Sequence, residues 1–215
     1  MPRTQPFDEY HVDYEDWFEH HAKVYLSELE ALRSLIPRGK SGVEIGVGSG
    51  RFALPLGIVV GIDPSREMRK LAAHRGVDVR DAVAEALPFR DGTFDFALMV
   101  TTICFVDDVR KSFEEIHRIL KEDGCVVVGM VDKESSLGRT YLRMKSENKF
   151  YRVATFYSTS EAIGLLEELG FADIKVVQTV FGNLDEIKEV QSYREGFGEG
   201  GFVAIKATKN RVHWR

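Results

Sequence analysis

The sequence predicts an α/β protein: a seven-stranded, mostly parallel sheet with helices on both faces and an antiparallel last strand. Three observations predict it. Short apolar runs alternate with amphipathic stretches along the whole chain, the pattern of strands feeding crossover helices. The first clear run, Val43 to Ile45, leads into three glycines spaced two apart, Gly46, Gly48 and Gly50. Glycine lets the chain turn with φ > 0 and lets a ligand lie against bare backbone. The second run, residues 58–62, ends on an acid, Asp63. A glycine turn after one strand and an acid after the next is how a doubly wound sheet holds a nucleoside, because a carboxylate accepts from both hydroxyls of a vicinal diol.

The elements follow in order. Residues 8–36 read as helical, with Tyr14, Trp17, Phe18, His21, Val24, Tyr25, Leu29, Leu32 and Ile36 recurring at three- and four-residue steps. Pro37-Arg38-Gly39-Lys40 ends that region. The helix expected after the glycine turn is short, because Pro55 and Gly57 break it. Strand two covers 58–62. Pro64, with fixed φ and no N–H to satisfy, takes the first position of the next helix, which carries Met68, Leu71 and Ala72 and closes at Gly76. A third strand covers 77–80, a loop 81–91, and strand four 96–100. Asp107 and Asp108 are N-caps for a helix with Val109, Phe113, Ile116 and Leu120 on one face. Residues 121–124 stop it, and the apolar run 125–130 is strand five, buried on both faces. Residues 132–158, rich in Lys, Arg, Ser and Tyr without a clean period, read as an insertion or lid. A helix opens at Ser160-Glu161, and strands six and seven cover 174–180 and 202–207.

Bulk properties narrow the function. The chain has 215 residues, enough for one domain with a real core. Its net charge of −5 argues against a dedicated nucleic-acid or anionic-membrane binder and leaves a small or cationic substrate open. The first six residues hold no apolar signal-peptide core, and the longest apolar stretch, near residues 54–62, is too short to span a bilayer. A cytoplasmic protein is expected. Cys104 and Cys125 lack zinc-site spacing and sit among apolar residues, so reduced buried thiols and no metal are expected. The basic tail, residues 209–215, is expected to be a solvated end.

Six motifs together carry a family resemblance. Glu44, Gly46, Gly48 and Gly50 match an acid followed by alternating glycines. Gly61, Asp63 and Ser65 match a strand-two acid motif; Ala84, Glu85, Leu87, Pro88 and Phe89 match an Ala-Glu-x-Leu-Pro-Phe loop. Phe94 and Asp95 precede strand four. Arg118, Leu120, Lys121 and Gly124 precede strand five, with Asp123 in place of a glycine. Tyr14, Trp17 and Phe18 match an early aromatic element, with Glu15 in place of Asp. In this order, over about residues 10 to 208, they resemble the class I S-adenosylmethionine-dependent methyltransferases, in particular the small-molecule, ubiquinone/menaquinone-type (methyltransferase type 11-like) branch.

That resemblance implies a Rossmann-like sheet, S-adenosyl-L-methionine as cofactor and a small-molecule methyl acceptor. It implies a single domain: a helical cap over 1–40, a cofactor-binding half over 41–131, the 132–158 insertion, and a C-terminal helix and strand pair over 159–208. Gly46, Val47, Gly48 and Gly50 would form the turn beside the methionine part, with Glu44 ordering it or meeting the amino group. Asp63 would bind the ribose, and Pro64 and Ser65 would line the adenosine. Ala84 would meet the adenine edge with Val83 and Glu85 alongside. Val83 stands where the family often carries an Asp, which leaves the adenine amino group to a backbone group or to Asp81. Thr101 would face the methionine end, and Tyr14 and Trp17 would cap the cavity.

Methyl transfer is an in-line displacement that needs a base only if the nucleophile must lose a proton. The candidates near the expected cap are Tyr14, His11 and His21. Two rivals remain at this point. A protein that binds the cofactor or its product as a regulator shares every cofactor motif. A nicotinamide-dependent oxidoreductase shares the sheet, but its glycines follow Gly-x-Gly-x-x-Gly, and here the third comes one residue early.

Overall fold

The computed structural model describes residues 3–210; the tail from Arg211 onward lies outside the described residues. Eight strands form one sheet in the order β3-β2-β1-β4-β5-β8-β6-β7. They are β1 (Gly42–Ile45), β2 (Val60–Ile62), β3 (Asp78–Arg80), β4 (Phe94–Val100), β5 (Leu120–Val131), β6 (Phe171–Thr179), β7 (Arg194–Glu195) and β8 (Phe202–Lys209). Pairs among β3, β2, β1, β4 and β5 are parallel. The last strand, β8, runs antiparallel between β5 and β6, as expected. The eighth strand is β7, two exposed residues paired with the edge of β6. It has no apolar alternation, so nothing in its sequence marked it.

The helices are α1 (Gln5–Glu9), α2 (His11–His20), α3 (Ala22–Leu35), α4 (Arg66–Arg75), α5 (Val109–Ile119), α6 (Ser136–Arg143) and α7 (Thr159–Glu168). Alternation along β4 explains their placement. Ala97 and Met99 join Phe113 and Ile116 of α5 and Leu166 of α7 in one core cluster. Phe96, Leu98 and Val100 join Leu32 and Leu35 of α3 and Ala72 of α4 in a second cluster on the opposite face. The sheet is therefore buried on both sides. Among the described residues no helix is long and apolar enough to cross a membrane. Both cysteines are free and buried.

Four local expectations need correction. The helical region 8–36 is three helices, because Tyr10 and His21 leave helical geometry with φ near −117° and −113°. This lets α1 and α2 turn over the cavity while α3 packs on the sheet. Pro64 is not the first helical residue: Ser65 is the N-cap of α4, accepting from the Met68 N–H at 3.2 Å, so Pro64 lies just outside. Residues 121–124 do not separate helix from strand but belong to β5, whose register against β4 shifts there and where Asp123 takes φ +61°. The capping box of α7 sits two residues earlier than the Ser160-Glu161 start, with Ser158 as cap and Glu161 reaching back.

Candidate active site

After β1 the chain moves outward to β2 and β3, then returns across β1 to β4. Ligands bind at such a switch point, outside the carboxyl ends of the strands. A cavity of about 720 Å³ lies there. Of the residues proposed for the site, Gly46, Gly48, Asp63, Pro64, Ser65, Val83, Ala84, Glu85, Thr101, Tyr14, Trp17 and His21 line it. Glu44, Val47, Gly50 and His11 do not.

The residues off the wall build it from behind. Gly46, Gly48 and Gly50 take φ of +68°, +54° and +84°, which only a turn of glycines adopts without strain. Val47 points away from the cavity and packs on Gly61, where a Cβ would fall 2.8 Å from the Val47 Cβ. A Cβ on Gly50 would lie 3.3 Å from the Ala72 Cα, so this glycine lets α4 approach. Glu44 is buried, and its Oε2 has no hydrogen-bond partner among the described residues. Burial, with the Asp63 charge nearby, holds its carboxyl well above the usual range.

Asp63 is the fixed point of the wall. One carboxylate oxygen accepts from the Gly48 N–H and the other from the Ser65 N–H, each at 2.8 Å. Each oxygen keeps a second lone pair for a ligand. Burial pushes the carboxyl up to about 6, against the pull of those two amides and of Arg69. Arg69 also donates to the Asp63 and Pro64 carbonyls and to Asp81, which fixes the turn after β2.

Helices α1 and α2 close the cavity from above. Asp8 accepts from the Ser65 hydroxyl at 2.7 Å and the Glu67 N–H at 3.2 Å, pinning α1 to the start of α4. Glu15 of α2 accepts from Arg51 at 2.8 Å and from Arg75, while Arg75 donates to the Ser49 carbonyl at 2.6 Å. The Glu15 substitution in the aromatic motif is therefore the clasp between the cap and the glycine turn. Tyr14 sits over the turn: a Cβ on Gly48 would fall 3.1 Å from its hydroxyl. Burial first, then the charges of Asp63 and Glu44, push that hydroxyl up. Trp17 stacks on His21 at 5.0 Å, and the His21 Nε2 lies 3.5 Å from Asp185. His11 is turned away, its Nδ1 3.0 Å from the Asp8 carbonyl.

The loop bearing Val83, Ala84 and Glu85 is held from α5. Glu85 accepts from the Asp107 and Asp108 N–H groups at 2.7 and 3.0 Å. Arg118 donates to the Leu87 and Phe89 carbonyls, and Glu115 accepts from the Leu87 N–H. This gives the Arg118 motif its physical purpose, a clamp on the loop after β3.

The far half of the cavity holds Thr101, expected there from the sequence, together with residues that no sequence motif marked. Thr101 takes φ +50°, a costly conformation for a β-branched residue, at the end of β4. Its neighbour Thr102 donates to the Gly46 and Val100 carbonyls at 3.2 and 3.0 Å, joining the glycine turn to β4. Tyr141 of α6 and Tyr151 lie 4.5 Å apart along this wall. Glu28 of α3 lines the cavity at 6% exposure. It falls four residues after Val24 and four before Leu32, on the buried face of the helix, and that spacing was the available signal.

The methyltransferase domain model matches residues 43–128. An uncharacterized protein of Methanocaldococcus jannaschii is 47% identical over 203 residues, 94% of this chain and 98% of its own length. A crystal structure from Thermotoga maritima superposes with a TM-score of 0.94 at 50% identity, covering 96% of this chain and 99% of that one. It is described as an S-adenosylmethionine-dependent methyltransferase, possible histamine N-methyltransferase. A ubiquinone/menaquinone biosynthesis C-methyltransferase of Geotalea uraniireducens is 32% identical over 101 residues, 40% of this chain and 43% of its own.

Proposed function

The chain belongs to the S-adenosylmethionine-dependent methyltransferases, and from that premise we propose that it methylates a small-molecule acceptor inside the 720 Å³ cavity. The single observation that carries the assignment of the seat is Asp63, a buried carboxylate with both oxygens fixed by backbone amides on the cavity wall.

The residues fit the cofactor on their own chemistry. Bare glycine backbone lines the wall at Gly46 and Gly48, the Asp63 oxygens have lone pairs to spare, and Glu44 Oε2 lacks a partner among the described residues. When bound, S-adenosylmethionine supplies a methyl group on a sulfonium, an electrophile that already carries a good leaving group. Asp63 would accept from the ribose hydroxyls, and the Ala84 loop would receive the adenine. Gly46 and Gly48 would let the methionine part lie against the turn, and Glu44 would complement its amino group. Tyr14 and Trp17 would exclude water, and their faces would attract positive charge by about 0.5–2 kcal/mol. Holding the acceptor in line can lower the barrier by about 7–11 kcal/mol in favourable cases.

Two features support a small acceptor. The cavity is roofed by the α1–α2 cap, and the chain carries a net charge of −5, unlike a nucleic-acid modifier. The Thermotoga relative's description as a possible histamine N-methyltransferase fits an acceptor of that size. The test incubates the protein with methyl-labelled S-adenosylmethionine and a panel of amines, phenols, thiols and quinols. Label should appear on one class. Label on none of them, with cofactor binding intact, would overturn the small-molecule assignment.

A further inference from the structure

Glu28 differs from the other charged groups around the cavity in being both buried and without a partner among the described residues. Arg3 donates to the Val153 and Cys104 carbonyls, and Lys149 pairs with Asp13. Asp63 and Glu85 each accept two backbone amides, and His21 meets Asp185. Glu28 is buried and has no hydrogen bond or ion pair among the described residues. A buried carboxylate without a partner is costly, and one aimed at nothing is rare in a native protein. Glu28 is set on α3 by a helix whose other buried positions, Val24, Leu29, Leu32 and Leu35, pack in the core. The stability cost is therefore local to one side chain on the cavity wall.

The surroundings define what would satisfy it. The titratable groups that sense the Glu28 charge are Tyr14 from α2, Tyr141 from α6 and Tyr151 from the turn beyond it. None is a cation. Trp17, Phe105, Phe150, Tyr141 and Tyr151 add aromatic surface to the same cavity. An unpaired carboxylate among aromatic faces complements a compact cation bearing N–H donors. A phenol or thiol acceptor would use the proton-accepting capacity of Glu28 but, being neutral, would not pair with its charge.

We propose that Glu28 recognises the ammonium of an amine acceptor and takes its proton, so that this protein is an N-methyltransferase acting on a small primary or secondary amine. The assignment rests on the methyl-transfer function proposed above. In the step, an N–H proton passes to the Glu28 carboxylate and frees the nitrogen lone pair. That pair forms the new N–C bond as the methyl–sulfur bond breaks, and the electron pair of the broken bond stays on sulfur, leaving a neutral thioether. Proton transfer also removes the repulsion between an ammonium and the sulfonium it must approach. Burial pushes the Glu28 carboxyl up to about 8, which brings it closer to an amine's own range and favours transfer to a neutral pair in a dry cavity.

The experiment titrates 2-phenylethylamine, N-methyl-2-phenylethylamine and the neutral analogue 2-phenylethanol into protein saturated with S-adenosylhomocysteine, and measures amine methylation in parallel. Wild type should bind both amines and not the alcohol. Glu28→Gln should weaken amine binding by about a hundredfold, the loss expected when one partner of a buried charged pair is removed. Its affinity for S-adenosylhomocysteine should stay unchanged, and Glu28→Asp should recover part of the amine affinity. The wild-type kcat/KM for amine should rise with pH through the Glu28 titration, and that limb should vanish in Glu28→Gln. Failure of wild type to bind either amine while S-adenosylhomocysteine binds would overturn the amine assignment alone, as would equal amine binding by Glu28→Gln. Failure to bind S-adenosylhomocysteine would instead remove the methyl-transfer function on which it rests.

Discussion

Replacing Asp63 by Asn keeps the shape of the side chain and removes its charge and one acceptor. In the wild type both oxygens accept from backbone amides, Gly48 on one side and Ser65 on the other. The carboxamide of the Asp63→Asn variant can satisfy only one of them, and its NH₂ would confront the other. A ribose would lose at least one charge-assisted hydrogen bond, about 1.5–3 kcal/mol, and the turn would keep an unmet buried amide at about 1–3 kcal/mol. The unmet amide weakens the free and the bound protein alike, so the ribose bond alone sets the rise in Kd, about 10- to 150-fold. Isothermal titration with S-adenosylhomocysteine at pH 8 measures it, with circular dichroism to show that the variant is folded. The pH dependence has a definite sign. The free carboxyl is raised from 3.8 to about 6, so binding that needs the carboxylate is full well above that value and fades as pH falls through it. At pH 5 roughly a tenth is ionised, which predicts about a tenfold loss of wild-type affinity that Asp63→Asn does not share. Equal affinity of the two proteins at pH 8, or parallel pH curves, would refute the ribose assignment.

Three more outcomes follow from the same contacts. Gly46→Ala places a Cβ 2.5 Å from the Thr102 hydroxyl at φ +68°; left-handed strain and the displaced Thr102 bond predict about 2–3 kcal/mol of destabilisation in urea unfolding. Glu15→Gln leaves the Arg51 and Arg75 guanidiniums without their shared carboxylate; hydrogen exchange should show α2 opening more readily by about 1–2 kcal/mol, and unchanged protection would contradict the clasp. Glu28, raised from 4.5 to about 8, contributes stability that is complete below 4.5 and lost progressively as pH rises from there through 8. Unliganded wild type should therefore lose about 3 kcal/mol relative to Glu28→Gln between about pH 6 and pH 9 in urea unfolding.

The parts of this molecule legible in the sequence are those where one residue type has one physical purpose. The glycine turn, the acid after β2 and the cap of α5 at Asp108 are local backbone problems with local solutions, and each lies where the sequence placed it. The breaks at Tyr10 and His21 were not legible, because neither residue forbids a helix, and the contacts that hold α1 and α2 in place, from Asp8 to α4 and from Glu15 to Arg51 and Arg75, are distant in sequence. The contacts of Thr102, and Glu28 altogether, were missed for a different reason. Each is ordinary in sequence, and its meaning depends on which face of β4 or α3 meets the cavity, which only the packed sheet decides. The same holds for β7, whose pairing comes from the edge of β6 and not from its own residues.

The most direct test is a crystal structure of this protein with S-adenosylhomocysteine. The ribose hydroxyls should lie within about 3 Å of the Asp63 oxygens, with the homocysteine chain along Gly46 and Gly48. Density for the nucleoside elsewhere on the sheet, or an Asp63 still bonded only to the Gly48 and Ser65 amides beside a bound ligand, would contradict it.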